Sequence, residues 1–386
     1  MSTDSAAKTR KNEISLYFHL PFCTRKCDYC HFYVLPDEER GKQRLAEALE
    51  QEWTLLLPFL EDKTVVTLYF GGGTPSLFSP VSLARLIQLI RKTCSIDPNA
   101  EVTLEANPEN VTLELMQGYA EGGINRVSIG VQTLDAELLI LLGRLHDPKD
   151  ALYAIQATAQ AGIDNISIDL MYDLPKQTLE HWESTLKEIE MLPIRHLSLY
   201  NLTLEPQTLF FKHQSKILPL LPHQEISLAM YEMAIERLEA MGLWQYEISA
   251  FAQPGYASRH NKGYWTGRPF LGLGPSAFSD WEEKRFRNVA HLERYCDALK
   301  KGHFPRDFEE RLDKEARRRE LFVIQLRLRE GVHWKGFNPW HECLDCTFQA
   351  NLKRLIAEHF LFRRHGQIGL TRKGILFYDT VAAELI

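Results

Sequence analysis

Ile14-Ser15-Leu16-Tyr17-Phe18-His19-Leu20-Pro21-Phe22-Cys23-Thr24-Arg25-Lys26-Cys27-Asp28-Tyr29-Cys30 is the stretch on which the reading of this chain turns. Its first seven residues are dominated by aliphatic and aromatic side chains and read as a β-strand. Three cysteines follow directly, spaced C-x3-C-x2-C. In an α/β barrel, a loop leaving the C-terminal end of a strand is where the chemistry is kept. Three thiolates close in sequence can wrap three corners of an iron–sulfur cubane, leaving one iron open to a small molecule. The spacing leaves two alternatives open, a zinc site short of one ligand and three unrelated buried thiols.

Outward from this segment, short β-branched or aromatic runs alternate with amphipathic stretches. Strands are predicted at residues 14–20, 65–70, 101–105, 126–131, 165–170 and 196–202. Helices are predicted at 40–57, 80–93, 113–119, 135–142, 148–161 and 179–192, the first carrying Leu45, Leu49, Trp53 and Leu56 at helical spacing. Six strands with helices between them argue for an α/β fold with a parallel sheet. We expect an incomplete (β/α)6 barrel, with an open doubly wound sheet as the alternative. After Glu205 the pattern changes to a helix near 224–241, an extra strand at 246–251 and a Gly- and aromatic-rich segment at 254–275. From about Leu312 the chain turns helical and charged, and 362–370 reads as a hairpin around Gly366. The expected organisation is a barrel core at 10–250, a connecting segment at 251–299 and a small, mainly helical C-terminal domain at 300–386.

The composition narrows the classes of function. With 45 Lys+Arg against 51 Asp+Glu, the formal net charge of −6 provides no global basic field for nucleic acid. Arg317-Arg318-Arg319 and Arg363-Arg364 raise a winged-helix-like nucleic-acid module. Glu309, Glu310, Asp313, Glu315 and Glu320 around the first run favour a solvated face instead. The N-terminus lacks a signal-peptide apolar run, and no stretch is long and apolar enough to span a membrane, so a cytoplasmic location is expected. Seven cysteines, three of them within eight residues, read as metal or redox chemistry rather than a disulfide framework. Cys343-Leu344-Asp345-Cys346, with His341 nearby, is a zinc half-site without a second pair and reads as ordinary thiols.

Polar residues recur at the predicted strand ends. Gly71-Gly72-Gly73-Thr74-Pro75 follows the second strand, and three glycines there favour a ligand over a simple turn. Glu105 and Gln132 end the third and fourth strands, and Asp169 lies in the fifth. Each interrupts an apolar run, where an unpartnered buried carboxylate would cost several kcal/mol. Arg144 could offer a bidentate partner. Taken singly, each residue reads as part of a salt-bridge network; together at successive strand ends they read as a ligand shell.

A C-x3-C-x2-C run after a first barrel strand resembles the radical S-adenosylmethionine (radical SAM) proteins. Tyr17-Phe18-His19-Leu20-Pro21-Phe22-Cys23 looks like the branch of that family that handles porphyrins. The resemblance implies a [4Fe-4S] cluster on Cys23, Cys27 and Cys30, whose open iron binds the amino and carboxylate groups of S-adenosylmethionine. Reduction then cleaves the nucleotide to methionine and a 5′-deoxyadenosyl radical. It further implies that Gly72, Gly73 and Thr74 hold the methionine amino group. Glu105, Gln132, Arg144 and Asp169 would contact the nucleotide, joined by Tyr17 and the backbone of Tyr29.

Two branches share these motifs, the oxygen-independent coproporphyrinogen III dehydrogenases and the HemW-type heme chaperones. The dehydrogenases carry a fourth cysteine two residues beyond the third, where this chain has Phe32. They also carry a long N-terminal extension, whereas 22 residues precede Cys23 here. His260-Asn261-Lys262-Gly263-Tyr264-Trp265 matches the H-N-x-x-Y-W motif of the HemW-type proteins, which is linked to heme binding. Imidazole is a common axial ligand and aromatic rings pack on porphyrins, which makes His260 the candidate heme ligand. The plainer reading has His260 bonding a loop while Tyr264 and Trp265 fill core. The resemblance therefore implies heme binding and transfer, peripherally at a membrane surface, to an acceptor protein it does not identify. It implies a flavodoxin or ferredoxin as electron donor.

Overall fold

The computed structural model describes residues 12–337 and 345–386. His341 and Cys343 of the half-site lie outside the described residues. Strand β1 (Glu13–Leu20), helix α1 (Glu39–Leu56), β2 (Thr64–Gly72), α2 (Pro80–Thr93), β3 (Ser95–Ala106) and α3 (Leu113–Glu121) open the chain. They are followed by β4 (Arg126–Gln132), α4 (Ala136–Leu141), α5 (Pro148–Gln160), β5 (Asn165–Tyr172), α6 (Leu179–Ile189) and β6 (His196–Asn201). The helices start where the local chemistry allows. Ser79 accepts from Ser82 N with Pro80 at the first helical position, and Asp147 and Asp150 form a capping box before α5.

These six strands lie side by side in chain order, all parallel. Their two faces differ sharply in chemistry. One alternate set, including Leu16, Phe18, Leu68, Phe70, Val102, Leu104, Val127, Ile129, Ile166 and Ile168, is fully or almost fully buried against the helices. The other set is buried too, but polar: Ser15, His19, Thr67, Glu101, Thr103, Arg126, Ser128, Ser167, His196 and Ser198. The period-2 alternation of a strand therefore separates an apolar outer shell from a polar interior. Polar groups so buried must find partners, and many bond across the interior, as Ser167 Oγ and His196 Nδ1 do at 2.8 Å.

The sheet does not end with the sixth strand. Beyond α7 (Gln224–Ala240), strands β7 (Trp244–Glu247) and β8 (Ala250–Ala252) extend it antiparallel from β6. Helix α8 (Arg259–Trp265) then leads to β9 (Phe270–Leu273), which joins the opposite edge parallel to β1. Strands β10 (Phe278–Trp281) and β11 (Lys284–Asn288), helix α9 (Leu292–Lys300) and β12 (Arg306–Glu310) continue outward, giving a twelve-stranded sheet. The result is a mixed, unclosed α/β barrel with seven parallel strands. The segment between 251 and 299 is thus built into the sheet. Glu52 of α1 fastens this extension by accepting from Gly274 N (2.9 Å), Asn288 Nδ2 (2.6 Å) and Tyr295 OH (2.5 Å).

The chain closes with α10 (Lys314–Gln325), β13 (Val332–His333), α11 (Cys346–Ala357), β14 (Leu361–Arg364), β15 (Gln367–Leu370) and α12 (Tyr378–Leu385). The last three strands form a small sheet, and Phe322 of α10 packs edge-on against Phe337 and Phe348 beneath it. The hairpin turn is His365-Gly366, both with positive φ, as a tight two-residue turn between twisted strands requires. Arg317 pairs with Asp280, and Arg319 with Glu315 and Asp345. Among the described residues no helix is long and apolar enough to cross a membrane.

Candidate functional site: a thiol-lined cavity at the barrel mouth

Cys23, Cys27 and Cys30 lie in the loop after β1 and share the wall of a cavity of about 470 Å³. The loop is held down by its backbone. Gly73 N donates to Leu20 O (3.0 Å) and Thr74 N to Phe22 O (2.7 Å), stitching the end of β2 to the start of the cysteine loop. That stitching needs glycine. Gly72 has φ +106°, and a Cβ on Gly73 would sit 2.7 Å from Phe22 O. The glycine run therefore also lets two strand-end loops touch.

Besides the thiols, the cavity is lined by Tyr29, Gly72, Gly73, Thr74, Glu105, Gln132, Arg144 and Asp169. Of the residues singled out in the sequence, Tyr17 and His260 do not line it. Tyr17 lies in the barrel interior, hydrogen-bonded to His19 Nδ1 (3.0 Å), and faces a neighbouring groove. His260 lies at the base of the interior, 1% exposed. Its Nδ1 bonds Thr67 Oγ1 and its Nε2 bonds Tyr264 OH, each at 2.8 Å, and its backbone N–H donates to Glu101 (2.9 Å). Burial holds its pKa well below the ordinary imidazole value, so it is a neutral ring with both nitrogens in use. In this conformation it presents no free nitrogen to an iron.

Three residues that the sequence did not bring forward complete the wall. Asn107, two residues beyond Glu105, donates to Thr74 Oγ1 (3.1 Å) and accepts from Arg144 Nη2 (2.8 Å). Ser128 donates to Asp169 Oδ1 (3.2 Å), and Tyr200 closes the side towards β6. Their signal was their place at or near strand ends on the polar face. Arg126, 2% exposed, lies inside the barrel and tempers both Glu105 and Asp169.

Burial dominates the electrostatics. It pushes Glu105 up to about 7, against the hydrogen bonds from Tyr69 OH (2.7 Å) and Gly72 N (3.1 Å) and with the nearby Asp169 adding to the rise. Burial raises Asp169 as well, opposed by Ser198, Arg126 and Ser128. Burial alone would lower Arg144, but Tyr29, Cys27 and Glu109 around it raise it, so it stays a cation. It donates to Gly130 O (2.8 Å) and Cys27 Sγ (3.6 Å). Burial pushes the Cys23 thiol up to about 11, even though Thr74 Oγ1 donates to its sulfur (3.4 Å). Such thiols are protonated without a metal and become ligands when iron displaces the proton.

This donor set fits a cluster with one open iron, since three thiols line one cavity with charged and hydroxyl donors opposite. Among the described residues no group of three or more His, Cys, Asp or Glu side chains stands close enough to hold a single metal ion.

The model of the "Radical SAM superfamily" matches residues 17–189. The chain is 34% identical to "Heme chaperone HemW" of Bacillus subtilis, over 95% of this chain and 97% of that one. This chain belongs to the HemW family of radical SAM proteins. Escherichia coli HemW is 32% identical, over 95% of this chain and 97% of its own. The Danio rerio "Radical S-adenosyl methionine domain-containing protein 1, mitochondrial" is also 32% identical, over 97% and 87%. The fold matches Escherichia coli coproporphyrinogen III oxidase (HemN), described as a radical SAM enzyme. That match has a TM-score of 0.85 at 24% identity and covers 99% of this chain and 92% of that one. Membership implies a [4Fe-4S] cluster and S-adenosylmethionine, which together supply one-electron chemistry when bound. In this HemW-family chain the cavity contributes a desolvated carboxylate pair, a fixed guanidinium and exposed backbone at the glycine turn.

Proposed function

We propose that this protein binds heme and passes it to an acceptor protein. It does so while carrying a [4Fe-4S] cluster on Cys23, Cys27 and Cys30, with exchangeable S-adenosylmethionine beside it. One observation carries the reading: the likeness to proteins named heme chaperone HemW runs over almost the whole chain. Phe32, standing where the dehydrogenase branch has a fourth cysteine, agrees with it. Glu105, Gln132, Arg144 and Asp169 contact the nucleotide, Gly72, Gly73 and Thr74 receive its methionine end, and the Tyr29 backbone lies alongside. Arg144 keeps its cation next to a sulfur ligand, where it tempers cluster charge and orients a carboxylate. A reduced flavodoxin or ferredoxin is the electron source, and the cytoplasm is the setting.

The test is anaerobic. Protein with a reconstituted cluster is given S-adenosylmethionine, reductant and coproporphyrinogen III, and in a parallel run heme and a heme-free respiratory acceptor. Heme appearing in the acceptor, without catalytic protoporphyrinogen, is the expected result. Multiple-turnover decarboxylation to protoporphyrinogen would make the protein a dehydrogenase and overturn the reading.

A further inference from the structure

A second depression adjoins the cluster cavity, and His31 and Phe32 belong to both walls. It is a groove of about 730 Å³ between the cysteine loop, the β1–β9 edge and helix α10. We propose that this groove is the heme site and that His31 is the axial ligand. The inference rests on the heme-binding reading above and gives it a location.

A heme needs flat apolar walls, a base free to bind iron and cations for two propionates. The walls are aromatic: Phe32, Tyr264, Phe270 and Phe278 line the groove, and Phe32 and Phe278 are 54% and 50% exposed. Two exposed rings of this size on the walls of one groove call for a covering partner.

Three histidines come into question, and the geometry separates them. His260 has both nitrogens bonded inside the barrel. His19 lines the groove but bonds Tyr17 OH and Tyr33 O, each at 3.0 Å. His31 is exposed, its ring lies 4.7 Å from that of Phe32, and it makes no hydrogen bond among the described residues. It alone offers a free imidazole nitrogen without breaking a buried network.

Cations line the same groove. Arg285 pairs with Glu310 (2.8 Å) and Glu320, and Arg287 makes a bidentate pair with Asp307 (3.0 and 3.1 Å) while lying over Phe278. Each guanidinium has five donors, more than these partners use. Arg285 Nε and Trp265 Nε1 are buried without an acceptor, and both residues line the groove. The acids on this wall are themselves matched, Asp280 with Arg317 and Glu320 with Arg285. The Arg285 and Arg287 side chains, 31% and 36% exposed, offer propionate oxygens the guanidinium donors that these pairs leave free. The placement also gives the H-N-x-x-Y-W segment a physical sense. His260 anchors α8 from within the barrel, and that anchoring presents Tyr264 and Trp265 to the groove.

The experiment titrates ferric heme into full-length protein with its cluster reconstituted. Soret absorbance reads affinity, and magnetic circular dichroism reads imidazole ligation. His31→Ala should lose the imidazole signature and weaken heme binding at least tenfold, with both restored by free imidazole and with unchanged iron and sulfide content. Phe278→Ala, an exposed change on strand β10, should weaken heme binding severalfold and keep the signature. His260→Ala, where it folds, should keep the signature. If His31→Ala keeps wild-type ligation, or if folded His260→Ala loses it, the site assignment falls while heme binding stands. If the unaltered protein takes up heme only without saturation, the heme-binding reading falls with it.

Discussion

Glu105 is held between two demands, burial that favours its acid form and two donors, Tyr69 OH and Gly72 N, that favour its carboxylate. With the balance near 7, the side chain gains its charge as pH rises through neutrality. S-adenosylmethionine carries a sulfonium and several N–H and O–H donors, all of which prefer the ionised form. Its binding should therefore tighten from pH 6 to 8 and level off above, and Glu105→Gln should bind more weakly with a flat profile. Equilibrium binding to the oxidised cluster protein reads this directly, and an equally steep profile in the Gln variant would remove Glu105 as the cause. Arg144 is the second sensitive point, because its planar fork serves Asn107 Oδ1, Gly130 O and the Cys27 sulfur together. Arg144→Lys keeps the charge but not the fork, so nucleotide affinity should drop about tenfold (~1.4 kcal/mol) while the cluster still assembles, as absorbance and iron content would show. The cysteines were legible because their relation lies within eight residues of sequence. Glu105, Gln132 and Asp169 stood out because a polar side chain interrupts an apolar run. Depth was not legible: alternation says which face a residue occupies, not its height along the barrel axis. Tyr17, within β1, and His260, on helix α8, share the interior with Glu105 but do not line the cavity. Asn107 and Ser128 went unnoticed because small polar residues near strand ends are common in any α/β fold.

Among the elements, the six strands of the first half and their helices were readable because each carries a complete local pattern, an apolar run or a helical stripe with its own cap. Strands β9 to β12 were not. They are four or five residues long, β11 and β12 are mostly charged, and they owe their strand state to pairing with β1 and with one another. Residues such as Arg285, Arg287, Asp307 and Glu309 form cross-strand ion pairs that leave no apolar period to detect. One long-range group that helps fix this edge is Glu52, whose buried carboxylate meets donors from Gly274, Asn288 and Tyr295. Glu52→Ala would leave three buried donors unpaired and open a small void. Stability should fall by about 3 kcal/mol, measured by urea unfolding, and the loss should be visible first as hydrogen exchange in β9 and β11. Unchanged exchange there would mean that pairing to β1 alone holds the edge.

At the scale of the molecule, the alternation of strands and helices pointed correctly to an unclosed α/β barrel followed by a helical end, because both are sums of local patterns. How the end attaches could not be read, since the attachment depends on a few residues far apart in sequence. Ile248 N donates to Arg327 O (3.1 Å) and Arg329 N to Tyr246 O (2.9 Å), so main chain from the C-terminal region pairs with the outer edge of the large sheet. Arg327 joins the two parts through its side chain as well. It reaches Glu247 at 3.2 Å and lies 4.4 Å over the Trp265 ring and 5.4 Å over the Tyr378 ring. Glu247 is 4% exposed, and burial lifts its pKa against the opposing pull of Arg327. Arg327→Ala would strand that carboxylate and remove the cation packed between an aromatic of α8 and one of α12. Because Trp265 also lines the groove beside the cluster loop, the loss should reach the candidate heme site. Stability should fall by about 3 kcal/mol, and heme affinity should fall with it, whereas nucleotide binding in the adjoining cavity, which Trp265 does not line, should hold. Arg327→Lys, which retains charge but stacks poorly, should recover part of the stability and little of the heme affinity. Equal loss of heme and nucleotide binding in Arg327→Ala would mean that the contact supports the barrel as a whole. A selective loss of heme would mean that the C-terminal region shapes the groove.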